Sequence, residues 1–234
     1  MPAFLEKKPA VCAAVIGSSV DDFLAVIKKI EGADLIEIRA DGLKDPSPKK
    51  VEKLLKRVKA ETNLPFILTN RVLDEGGAFT GSEEERLLII KENIGLADAV
   101  DIELSTEKKK RDELVEKAKD QKIPVIISAH DFEKTPDDGV MLKTIAEEFR
   151  AGASVAKIAV MASSSEDVLR LLNVTQEAAK LGDVCTIAMG DAGKLSRVIA
   201  PLFGSCITYA SVGESTAPGQ LSVKEVKMLL EVLK

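Results

Sequence analysis

One lysine interrupts an otherwise small and apolar stretch of the sequence. Lys157 lies in SVAKIAVMA, at 154–162, where the pattern predicts a buried strand. A charged lysine that faces a protein core is costly unless it is paired. Burial and nearby arginines would both lower its pKa, and a lysine of lowered pKa can attack a ketone. Lys157 is therefore a candidate Schiff-base nucleophile, with a snorkelling or salt-bridged lysine as the structural alternative.

His130 is the only histidine of the chain, so any proton transfer that needs an imidazole must use it. Within SAHDF it ends a predicted strand, one strand before Lys157. That spacing puts the two side chains on neighbouring strands, where a general acid and base could serve an imine-forming lysine. A lone buried histidine in a purely structural role is the alternative.

Short β-rich runs alternate with longer helical patterns along the whole chain. Ser82 and Ser222, each followed three residues later by glutamate, predict helix starts with capping boxes. Gly32, Gly152 and Gly182 each follow a helical stretch, where a left-handed residue commonly ends a helix. The eight strand candidates cover 10–16, 34–40, 65–71, 98–104, 123–130, 154–161, 183–189 and 205–210.

Eight alternating βα units predict an α/β protein, a (βα)₈ TIM barrel that forms a single catalytic domain over 1–234. A doubly wound open sheet is the alternative. The near-continuous spacing of the strands favours the barrel, as does the lack of a GxGxxG segment after the first strand.

Polar residues two positions apart recur near the carboxyl ends of the predicted strands. Residues two apart in a strand share one face, and barrel active sites gather at this end of the strands. Structural ion pairs under the helix ends are the alternative for any one pair. The pairs are Glu37 with Arg39, Thr69 with Arg71, Asp101 with Glu103, and Ser128 with His130.

Three loops add candidate groups. In TNRVLDEGGAFTG, Glu75 could hold His130 in one tautomer, or it could be an exposed loop carboxylate. AMGDAGKLSR and ASVGESTAPGQLS follow the seventh and eighth strands, where glycine-rich loops of barrels often bind phosphate. A Schiff-base aldolase that acts on a sugar phosphate therefore stays open beside a dehydratase.

The composition excludes several classes of function. The 33 basic and 38 acidic residues give a net charge of -5, which argues against nucleic acid as a partner. The N-terminus lacks a signal-like apolar core and no run reaches the roughly 20 apolar residues of a membrane span, so we expect a cytoplasmic protein. Cys12, Cys185 and Cys206 lie in apolar runs and predict buried free thiols, and a single histidine disfavours zinc.

Taken together, these segments resemble the type I 3-dehydroquinate dehydratases of the shikimate pathway, from the second strand to the C-terminal helix. The family's EWR, EGG and HDF segments match EIR at 37–39, EGG at 75–77 and HDF at 130–132. Its Schiff-base KIAVM is present at 157–161. Its MGxxGxxSR, FGSxxTY and SAPGQ segments match 189–197, 203–209 and 216–220. Two departures are Ile38 for the family tryptophan and Thr216 for its serine.

The resemblance implies a reaction that dehydrates 3-dehydroquinate to 3-dehydroshikimate through a lysine imine. Lys157 would be the nucleophile, His130 the proton carrier and Glu75 its orienting carboxylate. It implies no metal or organic cofactor, a small carboxylated cyclic ketone as substrate, and a homodimer, for which the apolar C-terminal segment KEVKMLLEVLK is suited. A non-catalytic barrel that binds an anionic metabolite stays as a third reading. The implied substrate-binding residues are Glu37, Arg39, Arg71, Met189, Arg197, Tyr209, Thr216 and Gln220.

Overall fold

Eight parallel strands form the centre of the structure, a computed structural model that describes residues 4–213 and 219–233. Each strand pairs with its neighbour in the chain, and β8 pairs with β1. A parallel bridge between Val184 and Ser205 joins the remaining ends, next to a 2.7 Å hydrogen bond from the Cys206 N–H to the Val184 carbonyl. The predicted barrel is confirmed. The strands are β1 Ala10–Ile16, β2 Leu35–Arg39, β3 Phe66–Thr69, β4 Ala99–Glu103, β5 Val125–Asp131, β6 Val155–Met161, β7 Val184–Met189 and β8 Ile207–Ser211.

Helices connect the strands and cover the outside of the barrel. Ser82 and Ser222 are N-caps with capping boxes, as predicted. Gly32 and Gly152 adopt positive φ angles of 79° and 98°. Gly182 does not adopt a positive φ angle, so that prediction is wrong; its helix, α6, ends four residues earlier, at Ala178. The helices are α1 Val20–Ile27, α2 Pro48–Glu61, α3 Glu83–Asn93, α4 Lys108–Asp120, α5 Asp138–Arg150, α6 Ser165–Ala178, α7 Gly190–Gly193, α8 Ser196–Leu202 and α9 Val223–Val232.

Alternating residues of each strand face opposite sides of the barrel wall. In β6, Ile158 and Val160 pack outward against α5 and α6, whereas Ala159 belongs to an inner cluster with Cys12 and Cys185. Lys157, which shares its face with Ala159, therefore points into the lumen. The three cysteines are free and buried, as the sequence predicts. Among the helices that the structure describes, none is long and apolar enough to cross a membrane.

A buried glutamate on α5 gives a stability prediction. Glu148 is 0% exposed, and burial raises the pKa of its carboxyl well above the ordinary value, with a further rise from Asp101. The folded chain then keeps a proton that the unfolded chain loses near pH 4.5. Stability must fall with pH above that value, by up to about 1.4 kcal/mol for each pH unit until the folded-state pKa is reached.

We expect Glu148→Gln to raise the free energy of unfolding relative to the native chain, and by more at pH 8 than at pH 5. Urea unfolding at both values measures this difference. Glu147→Gln is the matched control, since the Glu147 side chain is 41% exposed on the same helix. Equal pH dependence in the native chain and Glu148→Gln would contradict the prediction.

Candidate active site

The amine of Lys157 is enclosed by two carboxylates and a phenol. Its Nζ lies 3.0 Å from Oδ2 of Asp101 and 3.5 Å from Oε1 of Glu37. It also donates to the hydroxyl of Tyr209 at 3.2 Å and sits 4.3 Å from the centre of that ring. Lys157 and Glu37 are each 4% exposed and Asp101 is fully buried. These contacts favour a positive charge on Nζ.

The pKa of Lys157 differs in direction from the sequence-based expectation. Burial lowers it, as expected, and Arg71 lowers it too, but Asp101 and Glu37 together raise it more. The net result is a pKa above the ordinary lysine value, so the expectation of a lowered pKa is wrong. The physical reason is that carboxylates, and not guanidinium groups, are the charged groups next to the amine. The two carboxylates therefore favour the ammonium form of Lys157.

Buried charges balance one another below the amine. Arg71 contacts Asp101 at 2.9 Å and Glu103 at 2.9 Å, and Ser128 accepts from Arg71 and donates to Asp101. Arg86 contacts the second oxygen of Glu103 at 2.7 Å. Three cations thus face three carboxylates, so that no charge in this group is buried without a counter-ion. The members are Lys157, Arg71, Arg86, Glu37, Asp101 and Glu103.

His130 is oriented by Glu75 through two contacts. Oε2 of Glu75 lies 2.9 Å from Nδ1 of the ring and accepts the His130 backbone N–H at 3.1 Å. Ser105, on the loop after β4, donates to the other oxygen of Glu75 at 2.5 Å. Nδ1 therefore donates to Glu75, and Nε2 is the ring nitrogen left for a substrate. None of the sequence motifs includes Ser105 or indicates a role for it.

Burial and positive neighbours control the charge of His130. Burial lowers the pKa of the imidazole well below its ordinary value, and Arg71 and Lys157 lower it further. Burial also raises the pKa of Glu75. The ring is therefore neutral at neutral pH and can accept a proton there.

Arg39 is held by a carboxylate, Asp41, that none of the sequence motifs includes. Its guanidinium makes two contacts with Asp41, at 2.9 and 2.7 Å. Asp41 also accepts backbone N–H bonds from Arg71 at 3.2 Å and Ala78 at 3.0 Å. This carboxylate ties the β2 end to the loop after β3. The signal available in the sequence is its position, two residues beyond Arg39 at a strand end.

A cavity of about 90 Å³ at the carboxyl ends of the strands joins these groups. Ten of the eleven predicted site residues line it, and the eleventh, Thr216, lies outside the described residues. A larger cleft of about 850 Å³ opens at the opposite, amino-terminal ends of the strands and contains none of them. The lining residues are Ala14, Glu37, Arg39, Arg71, Glu75, Gly76, His130, Phe132, Lys157, Ala159, Ile187, Met189, Arg197, Tyr209 and Gln220.

Arg197 supplies a cation to the far wall of the cavity. It lies in the first turn of α8 and is 2% exposed. Burial lowers the pKa of its guanidinium to about 10. A planar, buried guanidinium is suited to bind a carboxylate through two parallel hydrogen bonds.

Comparisons with known proteins agree in pointing to one family. A model of the type I 3-dehydroquinase family matches residues 11–234. The chain is 44% identical over 229 residues to a 3-dehydroquinate dehydratase of Methanococcoides burtonii, with 98% of this chain and 96% of that protein covered. It is 46% identical over 239 residues to the 3-dehydroquinate dehydratase of Methanosarcina acetivorans, with 100% of this chain and 98% of that protein covered.

The fold is also similar to that of solved type I enzymes. The structure of the type I 3-dehydroquinate dehydratase of Clostridium difficile with covalently modified comenic acid superposes with a TM-score of 0.92. The two chains are 33% identical, and the match covers 98% of this chain and 93% of the other. These relatives disfavour the sugar-phosphate aldolase.

Proposed function

We propose a covalent mechanism for this chain, which belongs to the type I 3-dehydroquinase family and acts as a 3-dehydroquinate dehydratase. In this mechanism Lys157 forms an imine with the substrate ketone, and His130 moves the protons. The observation that carries this proposal is that both side chains line one cavity from adjacent strands. Ser128 is the register partner of Lys157 across β5 and β6, and His130 lies two residues further on the same face.

Imine formation starts from the ammonium form of Lys157. Neutral His130 accepts one proton from the ammonium, and the free amine attacks the carbonyl carbon. The attacking nitrogen then gives one proton to the carbonyl oxygen, so that the C=O bond becomes a C–O–H group. His130 then returns its proton to the departing hydroxyl, which leaves as water. The ammonium ion and the ketone thus give a protonated imine and one water, with no net gain or loss of protons.

The positive imine is matched to the surroundings of Nζ. Asp101 at 3.0 Å and Glu37 at 3.5 Å, which raise the pKa of the free amine, would also stabilise the cation that replaces it. The charge on Nζ is the same before and after imine formation. The buried network therefore keeps its balance of three cations and three carboxylates through this step.

Elimination then uses the imine as an electron sink. Neutral His130 removes a proton from the carbon next to the imine, and the electron pair is stored as an enamine. The enamine expels the β-hydroxyl, which the imidazolium protonates so that it leaves as water. Hydrolysis of the product imine releases the enone and restores the Lys157 ammonium. Glu75 would hold the imidazole in one tautomer throughout.

Substrate orientation would come from the remaining cavity residues. Arg197 would bind the ring carboxylate, with Gln220 and Met189 as further contacts from the same cavity, and the family match implies a substrate contact for Thr216 as well. Arg39 and Glu37 would contact the ring hydroxyls, and Arg71 would act mainly through Asp101. The relative from Clostridium difficile, described with covalently modified comenic acid, supports a covalent route.

Borohydride added during turnover of 3-dehydroquinate is expected to reduce the imine and leave a stable adduct on Lys157. Peptide mass spectrometry locates it. Lys194, whose side chain is 52% exposed on the loop after β7, serves as the internal control and should stay unlabelled. An adduct on another lysine, or none during turnover, would contradict the covalent route.

We also propose that 1–234 act as one catalytic domain, in the cytoplasm and as a homodimer. Exposed apolar side chains on the neighbouring helices α8 and α9 support the dimer. They include Leu202 at 45%, Met228 at 55% and Val232 at 76% exposure. A second copy could cover this face.

A further inference from the structure

The loop residue that follows Glu75 is packed under an aromatic ring. Gly76 ends the short 3₁₀ turn Leu73–Glu75 in a left-handed conformation, with φ at 77°. A Cβ at this position would lie 2.4 Å from Cζ and 2.8 Å from Cε2 of Phe132. Such distances are too short for any real contact, so the ring occupies the space that a side chain would need.

The same ring is stacked with the imidazole of His130. The two ring centres are 6.5 Å apart and their planes differ by 22°, which is within the range of offset aromatic pairs. Both side chains come from the end of β5, two residues apart. Phe132 also lines the active-site cavity and is 38% exposed. It therefore packs against His130 and against Gly76, the residue that follows Glu75.

We infer that Phe132 is a positioning residue, whose ring, seated on Gly76 and stacked on His130, holds the Glu75 carboxylate against Nδ1 of the imidazole. Glu75 lies on a three-residue turn, and its neighbour Gly76 is further tied down by a 3.0 Å bond from Arg39 to its carbonyl. Displacing such a turn by about 1 Å can cost on the order of 100-fold in rate. This inference rests on the proposed role of His130 as the proton carrier.

The consequences separate proton transfer from binding. Lys157 and Arg197 stay in the chain when the ring is lost, so substrate affinity should change little and the imine should still form, although more slowly, because His130 also carries protons in that step. Removing the ring also lets water reach the imidazole, whose pKa is lowered first by burial. That pKa should then rise toward its ordinary value. The charged groups around His130 are Arg39, Arg71, Glu75, Asp101 and Lys157.

The first test is Phe132→Ala. We expect kcat to fall by about 10- to 100-fold, with KM changed by less than about threefold and the borohydride adduct on Lys157 retained. Phe203→Ala is the matched control, because Phe203 is also 38% exposed and does not line the cavity. Unchanged kcat in Phe132→Ala, or equal losses in both variants, would overturn the inference.

Because His130 is the only histidine, imidazole NMR of the untagged, ¹⁵N-labelled protein reports on it alone. In the native chain we expect the Nδ1–H tautomer, with titration well below that of a free imidazole. In Phe132→Ala we expect a mixture of tautomers and titration at higher pH. A purely structural role for the ring would leave both signals unchanged in the folded variant, and so would contradict a positioning role.

A pair of glycines tests the contact itself. Gly32 and Gly76 have φ angles of 79° and 77°, but a Cβ at Gly32 meets nothing within 4 Å. Gly32→Ala therefore measures the strain of a left-handed alanine alone, with a loss of about 2 to 4 °C in Tm and native kcat. Gly76→Ala should show a loss of Tm at least as large and, in addition, at least about a tenfold loss of kcat.

In the double variant Gly76→Ala with Phe132→Ala the clash is absent, so kcat should be no lower than in Phe132→Ala alone. Native kcat in Gly76→Ala, or multiplicative losses in the double variant, would refute the contact. His130→Ala distinguishes the two levels of the inference. If it keeps native turnover, the proposed function fails; if it loses turnover while Phe132→Ala does not, only the positioning role fails.

Discussion

Replacement of Lys157 by arginine is expected to lower kcat by at least about 10⁵-fold, because a guanidinium cannot form the imine and removal of a covalent nucleophile costs on this order. Arginine keeps the positive charge beside Asp101 and Glu37, so the chain should still fold. The measurement is formation of the conjugated enone from 3-dehydroquinate, together with a thermal unfolding curve. A folded arginine variant with more than about 1% of native kcat would contradict the covalent role.

Lys157→Met is the informative partner of this variant. It leaves the fully buried Asp101 and the nearly buried Glu37 without their shared cation. Breaking a buried ion pair in this way costs about 3 to 5 kcal/mol of folding free energy. The methionine variant should therefore lose both activity and stability, and adding Asp101→Asn should restore part of the stability but none of the activity. Full stability in Lys157→Met would argue against the buried charge balance.

The fold could be predicted from the sequence because the hydrophobic patterns that indicate strands and helices are local. Each of the eight predicted strands is present, and β1 has the predicted bounds, 10–16. The other strands differ by one or two residues at an end, where polar residues continue the β pattern after pairing stops. Arg71 shows this: it lies two residues beyond the end of β3 at Thr69, yet its side chain reaches the lumen. The spacing of hydrophobic residues predicts where a strand lies better than it predicts where the strand ends.

The sequence predicted which residues form the candidate site, but not how their charges are arranged. Ten of the predicted side chains line one cavity, because residue type and position at strand ends were sufficient to select them. They were not sufficient to predict which charged groups lie next to one another. Asp101 belonged to a noted polar pair, but its 3.0 Å contact with Lys157 depends on the register of β4 against β5 and β6. That contact reverses the direction of the Lys157 pKa.

This reversal changes how the site should be understood. A cavity built to hold a neutral amine would surround Lys157 with arginines, whereas this one places two carboxylates beside it, and Arg71 shares Asp101 with the amine and has Glu103 as a second counter-ion. The cavity thus matches the cation that persists as ammonium and then as protonated imine. Proton removal is left to a base of low pKa, and His130 is the neutral group on the adjacent strand that can serve.

His130→Ala is accordingly expected to lower kcat by about two to four orders of magnitude, the usual contribution of a positioned acid and base. Imine formation should persist, slowly, because water can replace the proton carrier in that step, so borohydride should still label Lys157. The pH dependence of kcat/KM tests whether neutral His130 is the proton acceptor. His130 must be neutral to accept a proton, and burial with Arg71 keeps its pKa well below the ordinary value. Native kcat/KM should therefore hold as the pH falls through 6.5, the ordinary imidazole value, and decline only below it.

Glu75→Gln tests, in the same measurement, whether Glu75 acts by orienting His130 or through its negative charge. Glutamine keeps the shape and can still accept from the imidazole, but it no longer stabilises an imidazolium ion. We expect a smaller loss than in His130→Ala, with the decline of kcat/KM at low pH moved further down, since removing a neighbouring negative charge disfavours protonation of His130. If His130→Ala instead retains native kcat, or if the native pH profile declines at or above the ordinary imidazole value, another group must carry the protons. The neutral imidazole would then have no part in the elimination.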